Sequence, residues 1–148
     1  MAAQAANLRR KHLLTQVANS DFRHIYYFRR MQSGNNGYEV QHTRTSEITI
    51  SGVGIHTGHT VEMTLRPAEP NTGIVFKRVD LQGAHSVKAD VDNVSETTRS
   101  TTIEASGARV STIEHLLAAL FGNQVDNVLI EINGPEVPIL DGSSEPFI

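Results

Sequence analysis

The sequence predicts an α+β fold, a small antiparallel or mixed sheet with helices packed on one face. Three observations carry this expectation. Short alternating segments joined by hairpin-length loops run from about residue 45 to residue 91. One apolar stretch at helical spacing follows over 111–122, and another alternating segment comes after it. The first strand is the alternation of Ile48 and Ile50 with Glu47, Thr49 and Ser51. Gly52, Gly54 and Gly58 interrupt it, and Val61, Met63 and Leu65 alternate with Glu62, Thr64 and Arg66 as a second strand. The pair reads as an antiparallel hairpin with a long glycine-rich turn that needs φ > 0. Pro67, Pro70, Asn71 and Gly73 form the next loop, and residues 74–79 a third strand. Val87, Ala89 and Val91 give a short fourth strand; residues 100–103 are extended, and Gly107 turns the chain toward Val110.

The helix has a start signal. Ser111-Thr-Ile-Glu114 fits the capping box, in which the first serine and the glutamate three residues on satisfy free backbone N–H groups. Ile113, Leu116, Leu117 and Leu120 share one face, and Gly122 is a natural stop. Val128, Ile130 and Ile132 then alternate as a strand, and residues 137–140 are extended. Ser143-Ser-Glu-Pro146 reads as another helix start, with two residues following it.

The 148 residues suffice to bury a core without a metal or disulfide staple. The absence of cysteine excludes disulfide scaffolds, Cys-type zinc fingers, iron–sulfur sites and thiol nucleophiles. No apolar run approaches the length of a membrane span. The formal charge of −3 averages two unlike pieces. Residues 1–30 carry six basic residues against Asp21, a net +5, and residues 31–148 carry −8. The division expected is a basic leader at 1–30, a linker at 31–44 and a folded domain at 45–148. The leader reads as a disordered or spurious extension with Met31 as the start, as an organelle-targeting presequence, or as a nucleic-acid-binding arm.

Chemistry centres on Glu114 and His115 in the first turn of the helix. A neutral imidazole is the commonest metal ligand, and a neighbouring carboxylate can take a proton from an activated water. The bland alternatives are a capping-box glutamate and a core or surface imidazole. The H-E-x-x-H zinc-protease pattern is absent, because position 118 is Ala. His56 and His59 have an H-x-x-H spacing, but on a glycine-rich turn that is a poor scaffold for metal. That turn is not a nucleotide loop either, since neither G-x-G-x-x-G nor a terminal Gly-Lys-Ser/Thr is present.

Taken together, these segments resemble a known family. Ser51-Gly-Val-Gly-Ile-His-Thr-Gly58 is similar to the N-terminal signature of UDP-3-O-acyl-N-acetylglucosamine deacetylases, zinc enzymes of lipid A biosynthesis. Thr64-Leu-Arg-Pro-Ala68, Asn71-Thr-Gly-Ile-Val-Phe-Lys-Arg78 and Glu96-Thr-Thr-Arg-Ser-Thr-Thr102 resemble the strands and loop that follow. Val110-Ser-Thr-Ile-Glu-His-Leu-Leu-Ala-Ala119 resembles the catalytic helix, and Gly134-Pro-Glu-Val-Pro-Ile-Leu-Asp-Gly-Ser143 the closing segment. The likeness runs from about residue 44 to residue 148.

The resemblance implies that the chain corresponds to the first of two similar domains, each a small sheet with helices, cut at its C-terminal helix. It implies a catalytic base at Glu114, a zinc ligand at His115, substrate-binding residues at His56, Arg99 and Ser100, and a structural role for Asp141. Ser100 stands where the family often has Cys, and His59 where it often has a basic residue. The family's other zinc ligands and its general-acid histidine belong to the second domain. The expectations are therefore an incomplete Zn2+ site and no turnover by the chain alone. The helix face with Ile113, Leu116 and Leu117 would meet the second domain or a full-length copy. The substrate of the complete enzyme would be UDP-3-O-acyl-N-acetylglucosamine, with no nucleic acid and no transmembrane segment involved. The location implied is the cytoplasm of a Gram-negative bacterium, or a mitochondrion if residues 1–30 are a presequence.

Overall fold

A computed structural model of the chain describes residues 25–30, 39–83 and 85–147. The hairpin of β3 (Ile48–Val53) and β4 (Thr60–Pro67) forms as expected, with Val53 opposite Thr60 and residues 54–59 as the connection. β5 (Ile74–Arg78) and β6 (His85–Lys88) pair antiparallel. β10 (Val128–Ile132) inserts between them and the hairpin, antiparallel to β4 and parallel to β5. The result is a mixed five-stranded sheet in the order β3-β4-β10-β5-β6. A second, antiparallel sheet consists of β7 (Val94–Glu96), β8 (Thr102–Ala105) and β9 (Ala108–Val110). The α+β class and mixed sheet are thus those expected. Where a second helix was expected after Ser143, Glu145–Phe147 is a single 3-10 turn.

Alternation decides which face is wet. Val61, Met63 and Leu65 of β4, Phe76 of β5, Val87 of β6 and Val128, Ile130 and Ile132 of β10 are all buried. They share one core with Ile103, Ala108 and Val110 of the small sheet and with the helix α1 (Glu114–Gly122). The opposite face of the large sheet is charged, and Arg66 and Lys77 both reach Glu131, at 2.7 and 2.8 Å. Arg78 is a polar joint between the sheets. Its guanidinium takes Asp80 as a two-pronged partner, 2.8 and 2.7 Å, and donates to the Arg109 carbonyl at 2.8 Å.

Residues 39–44, read from sequence as the end of a linker, instead form β2 (Glu39–Arg44), paired antiparallel with β1 (Ile25–Arg30). β2 also docks on the domain: Thr43 is buried and donates to the Asn127 carbonyl at 2.6 Å, and the His42 carbonyl accepts from the N–H of Asp126 and Asn127. Its sheet partner β1 lies just across residues 31–38, but the residues that dock it on the domain, Asp126 and Asn127, lie far along the chain and cannot be read locally. Residues 1–24 of the basic leader and 31–38 of the linker lie outside the described residues.

The helix departs from expectation in three ways. Its first residue is Glu114, its cap position is Ile113 in helical conformation, and no side chain caps it. The capping box is absent, and Ser111 is committed elsewhere. Its N–H and hydroxyl both donate to the Pro135 carbonyl, at 2.9 and 3.2 Å, and its carbonyl accepts from Val137. At the other end the helix runs through Gly122, and Gln124 rather than glycine takes the left-handed turn, φ 57°. Finally, Ile113 and Leu116 are not an outward surface: they are 1% and 0% exposed, inside this domain's own core. Phe121, 86% exposed, is the large apolar side chain that the helix leaves outside.

Candidate active site

The start of α1 is where the segments singled out in the sequence converge. His115 is buried on the inner side of the first turn. Its Nε2 lies 2.8 Å from the Pro138 carbonyl, and since a carbonyl only accepts, Nε2 carries the hydrogen. Phe147 meets the same imidazole edge-on, centroids 5.0 Å apart, so the last 3-10 turn packs directly on it. Glu114 is exposed on the outer side of the same turn, and its carboxylate accepts the backbone N–H of Thr101. That bond brings the loop bearing Arg99 and Ser100 against Glu114; Arg99 itself is exposed and Ser100 half-buried.

His56 arrives by a different route. It is exposed on the 54–59 loop, and its backbone N–H sits 3.1 and 3.2 Å from the two carboxylate oxygens of Glu136. Thr57 N–H donates to the same carboxylate at 2.8 Å, and the Thr112 hydroxyl does so at 2.8 Å. Glu136 is fully buried. Burial pushes its carboxyl up, but the N–H groups of Thr57 and His56 and the hydroxyls of Thr112 and Thr57 together outweigh it and hold the group below the usual glutamate range. Gly54 makes this approach possible: a Cβ there would collide with the Glu136 carboxylate and lie 2.5 Å from the Thr57 hydroxyl. The glycine-rich loop therefore does cradle an anion with its backbone N–H groups, but the anion belongs to the chain.

Asp141 closes the segment with an Asx turn, its carboxylate accepting both the N–H and the hydroxyl of Ser143 at 2.8 Å. These two bonds hold its carboxyl below the usual range. The structural role implied for Asp141 by the resemblance is in keeping with that geometry.

Sequence reasoning missed Glu136, Thr112 and Pro138. One signal was available: Glu136 is an acid flanked by Pro135 and Pro138 in an otherwise apolar run. Thr112 carries no local signal, because its left-handed φ of 59° suits glycine rather than a β-branched residue.

A catalytic zinc ordinarily takes three protein ligands and leaves a position for water. Among the described residues, no group of three or more His, Asp or Glu side chains is gathered that could hold a metal. His115 offers one nitrogen, with the other already donating to a carbonyl, an arrangement typical of metal-bound histidines. The residues present fit one ligand of such a site, not the whole of it.

On consecutive residues at one helix start, this α+β domain carries an exposed carboxylate and a buried, carbonyl-anchored imidazole. The comparisons with known proteins say which family it belongs to. The family model for UDP-3-O-acyl N-acetylglycosamine deacetylase (LpxC) matches residues 41–148, and the chain belongs to that family. The deacetylase of Geobacter sp. (strain M21) is 56% identical over 108 residues, 73% of this chain and 35% of the relative. That of Teredinibacter turnerae is 50% identical over 108 residues, 73% of this chain and 36% of the relative. The bifunctional enzyme LpxC/FabZ of Chlorobaculum tepidum is 48% identical over 107 residues, 72% of this chain and 23% of the relative. The chain thus spans about a third of the length of the curated deacetylases it matches. The family match begins inside β2, a few residues earlier than the likeness read from the sequence. No helix among the described residues is long and apolar enough to cross a membrane.

Proposed function

We propose that this chain is the first-domain part of a zinc-dependent UDP-3-O-acyl-N-acetylglucosamine deacetylase, the enzyme that hydrolyses the acetamide of the UDP-sugar in lipid A biosynthesis. The observation that carries the reading is the pair at the start of α1: Glu114 facing solvent and the 99–101 loop, His115 buried and fixed through Nε2. Glu114 is the general base. It takes a proton from the attacking water as the carbonyl carbon is engaged; the C–N bond then breaks as the leaving nitrogen receives a proton, giving acetate and the free amine. His115 contributes one ligand to the zinc, whose Lewis acidity, when bound, makes the water acidic and polarises the carbonyl. Arg99, Ser100 and His56 line the substrate side, on loops tied to Glu114 and Glu136 respectively. The remaining ligands come from a second domain, so the chain alone is inactive. The place of action is the bacterial cytoplasm.

The test is reconstitution. The full 148-residue chain is assayed alone and together with the C-terminal remainder of the Geobacter relative, reading acetate release and bound zinc. The expected result is neither turnover nor stoichiometric zinc alone, and both with the remainder. Glu114→Ala in the reconstituted enzyme should abolish turnover and retain zinc. Tight stoichiometric zinc in the isolated chain, or full turnover by Glu114→Ala, would overturn the reading. A second reading, a non-catalytic partner that binds another half or a full-length copy, is favoured by the exposed Phe121 on α1. It predicts binding without turnover in the same experiment.

A further inference from the structure

The sequence at the helix start is a good capping box, and the structure does not use it. Had the box formed, the Glu114 side chain would be spent on the Ser111 N–H. Instead the helix starts at Glu114 and its carboxylate reaches Thr101. The interruption lies at Thr112, whose φ of 59° is incompatible with a helical turn through residues 111–114. A β-branched residue in that conformation is strained and persists only if its surroundings hold it there. Thr112 is buried, and its hydroxyl bond to Glu136 is the polar contact that its side chain makes, at 2.8 Å. Ser111 is secured beside it by the bridge to Glu136.

We propose that Glu136 is a positioning residue: by holding Thr112 in the left-handed conformation it prevents the Ser111–Glu114 capping box and releases the Glu114 carboxylate to the site. The same carboxylate anchors the loop of His56, and two residues later Pro138 fixes His115, so one short segment aligns three of the site's residues. The catalytic consequence rests on the function proposed above; the structural one does not.

Three variants of the full chain separate the possibilities. Thr112→Val removes the hydroxyl and keeps the shape. Glu136→Ala removes the anchor. Glu136→Ala with Thr112→Gly removes the anchor but makes the left-handed conformation free of strain. Backbone chemical shifts by NMR report where the helix starts, and the Thr101 amide proton reports the Glu114 contact. The expected result is that Thr112→Val and Glu136→Ala give a helical shift at residue 112 and move the Thr101 amide upfield, and that the glycine double variant restores both. In the reconstituted enzyme, Thr112→Val should lower kcat roughly 10- to 100-fold with KM unchanged, as a misplaced base requires.

Unchanged helix-start shifts and an unchanged Thr101 amide in folded Thr112→Val would overturn the proposal. So would failure of the glycine variant to restore them. If Glu136→Ala does not fold, Thr112→Val decides alone, since it deletes one hydroxyl. If the wild-type reconstitution shows no turnover, the deacetylase reading fails while the NMR result still judges the positioning role.

Discussion

Glu136 is a buried carboxylate whose hydrogen-bonding partners are all neutral donors: two backbone N–H groups and the hydroxyls of Thr57 and Thr112. Donors aimed at a carboxylate stabilise its ionised form, and here they overcome the cost of burial. The folded protein therefore holds this group's pKa below its unfolded value. Its contribution is fully present above the unfolded pKa and is lost as pH falls through the folded one. In Glu136→Gln the amide oxygen can still accept from the 56–57 N–H groups, and the Thr112 hydroxyl can turn to accept from the amide nitrogen. Urea denaturation from neutral to acid pH should then show a flatter acid limb for Glu136→Gln than for the wild type. Parallel limbs would mean that Glu136 adds nothing to acid sensitivity. Glu131, drawn below its usual range by Lys77 and then Arg66, sits on a wet sheet face where solvent screens both pairs.

At the level of elements, the decisive conflict is between a local start signal and a tertiary one. An N-cap serine replaced by alanine ordinarily costs about 1 kcal/mol. Ser111 does not cap α1; its hydroxyl makes one 3.2 Å bond to the Pro135 carbonyl. Ser111→Ala should cost no more than about 0.5 kcal/mol in thermal unfolding and leave the helical circular dichroism unchanged. Loss of helical signal in that variant would show that the serine caps the helix after all. The Ser143 signal fared differently. Its hydroxyl does accept the Glu145 N–H, at 3.2 Å, and a helical turn does begin there, as a 3-10 turn over Glu145–Phe147. That turn is enough to bring Phe147 onto His115.

Over the whole molecule, stability and association belong to different surfaces. Ile130 sits on the central strand with no exposure, beside Leu65 on one side and Phe76 on the other. Ile130→Ala should lower the unfolding free energy by about 3–4 kcal/mol. Phe121→Ser should change it by less than about 0.5 kcal/mol while weakening any association with the remainder of the enzyme. Equal destabilisation by the two variants would contradict this division. The sequence by itself determined the strands β3, β4, β5 and β10, the α+β class, the helix that carries Glu114 and His115, and the family. Those follow from alternation, helical spacing and residue order, which are local. Only the tertiary structure decided that residues 39–44 dock on the domain, that Ile113 and Leu116 face inward, and that Ser111 gives up its cap. Each depends on a partner distant in sequence: Asn127 for Thr43, the core for the helix face, and Pro135 and Glu136 for residues 111 and 112. A buried carboxylate that must find donors, and a strained threonine that must be held, can override a local propensity worth about 1 kcal/mol.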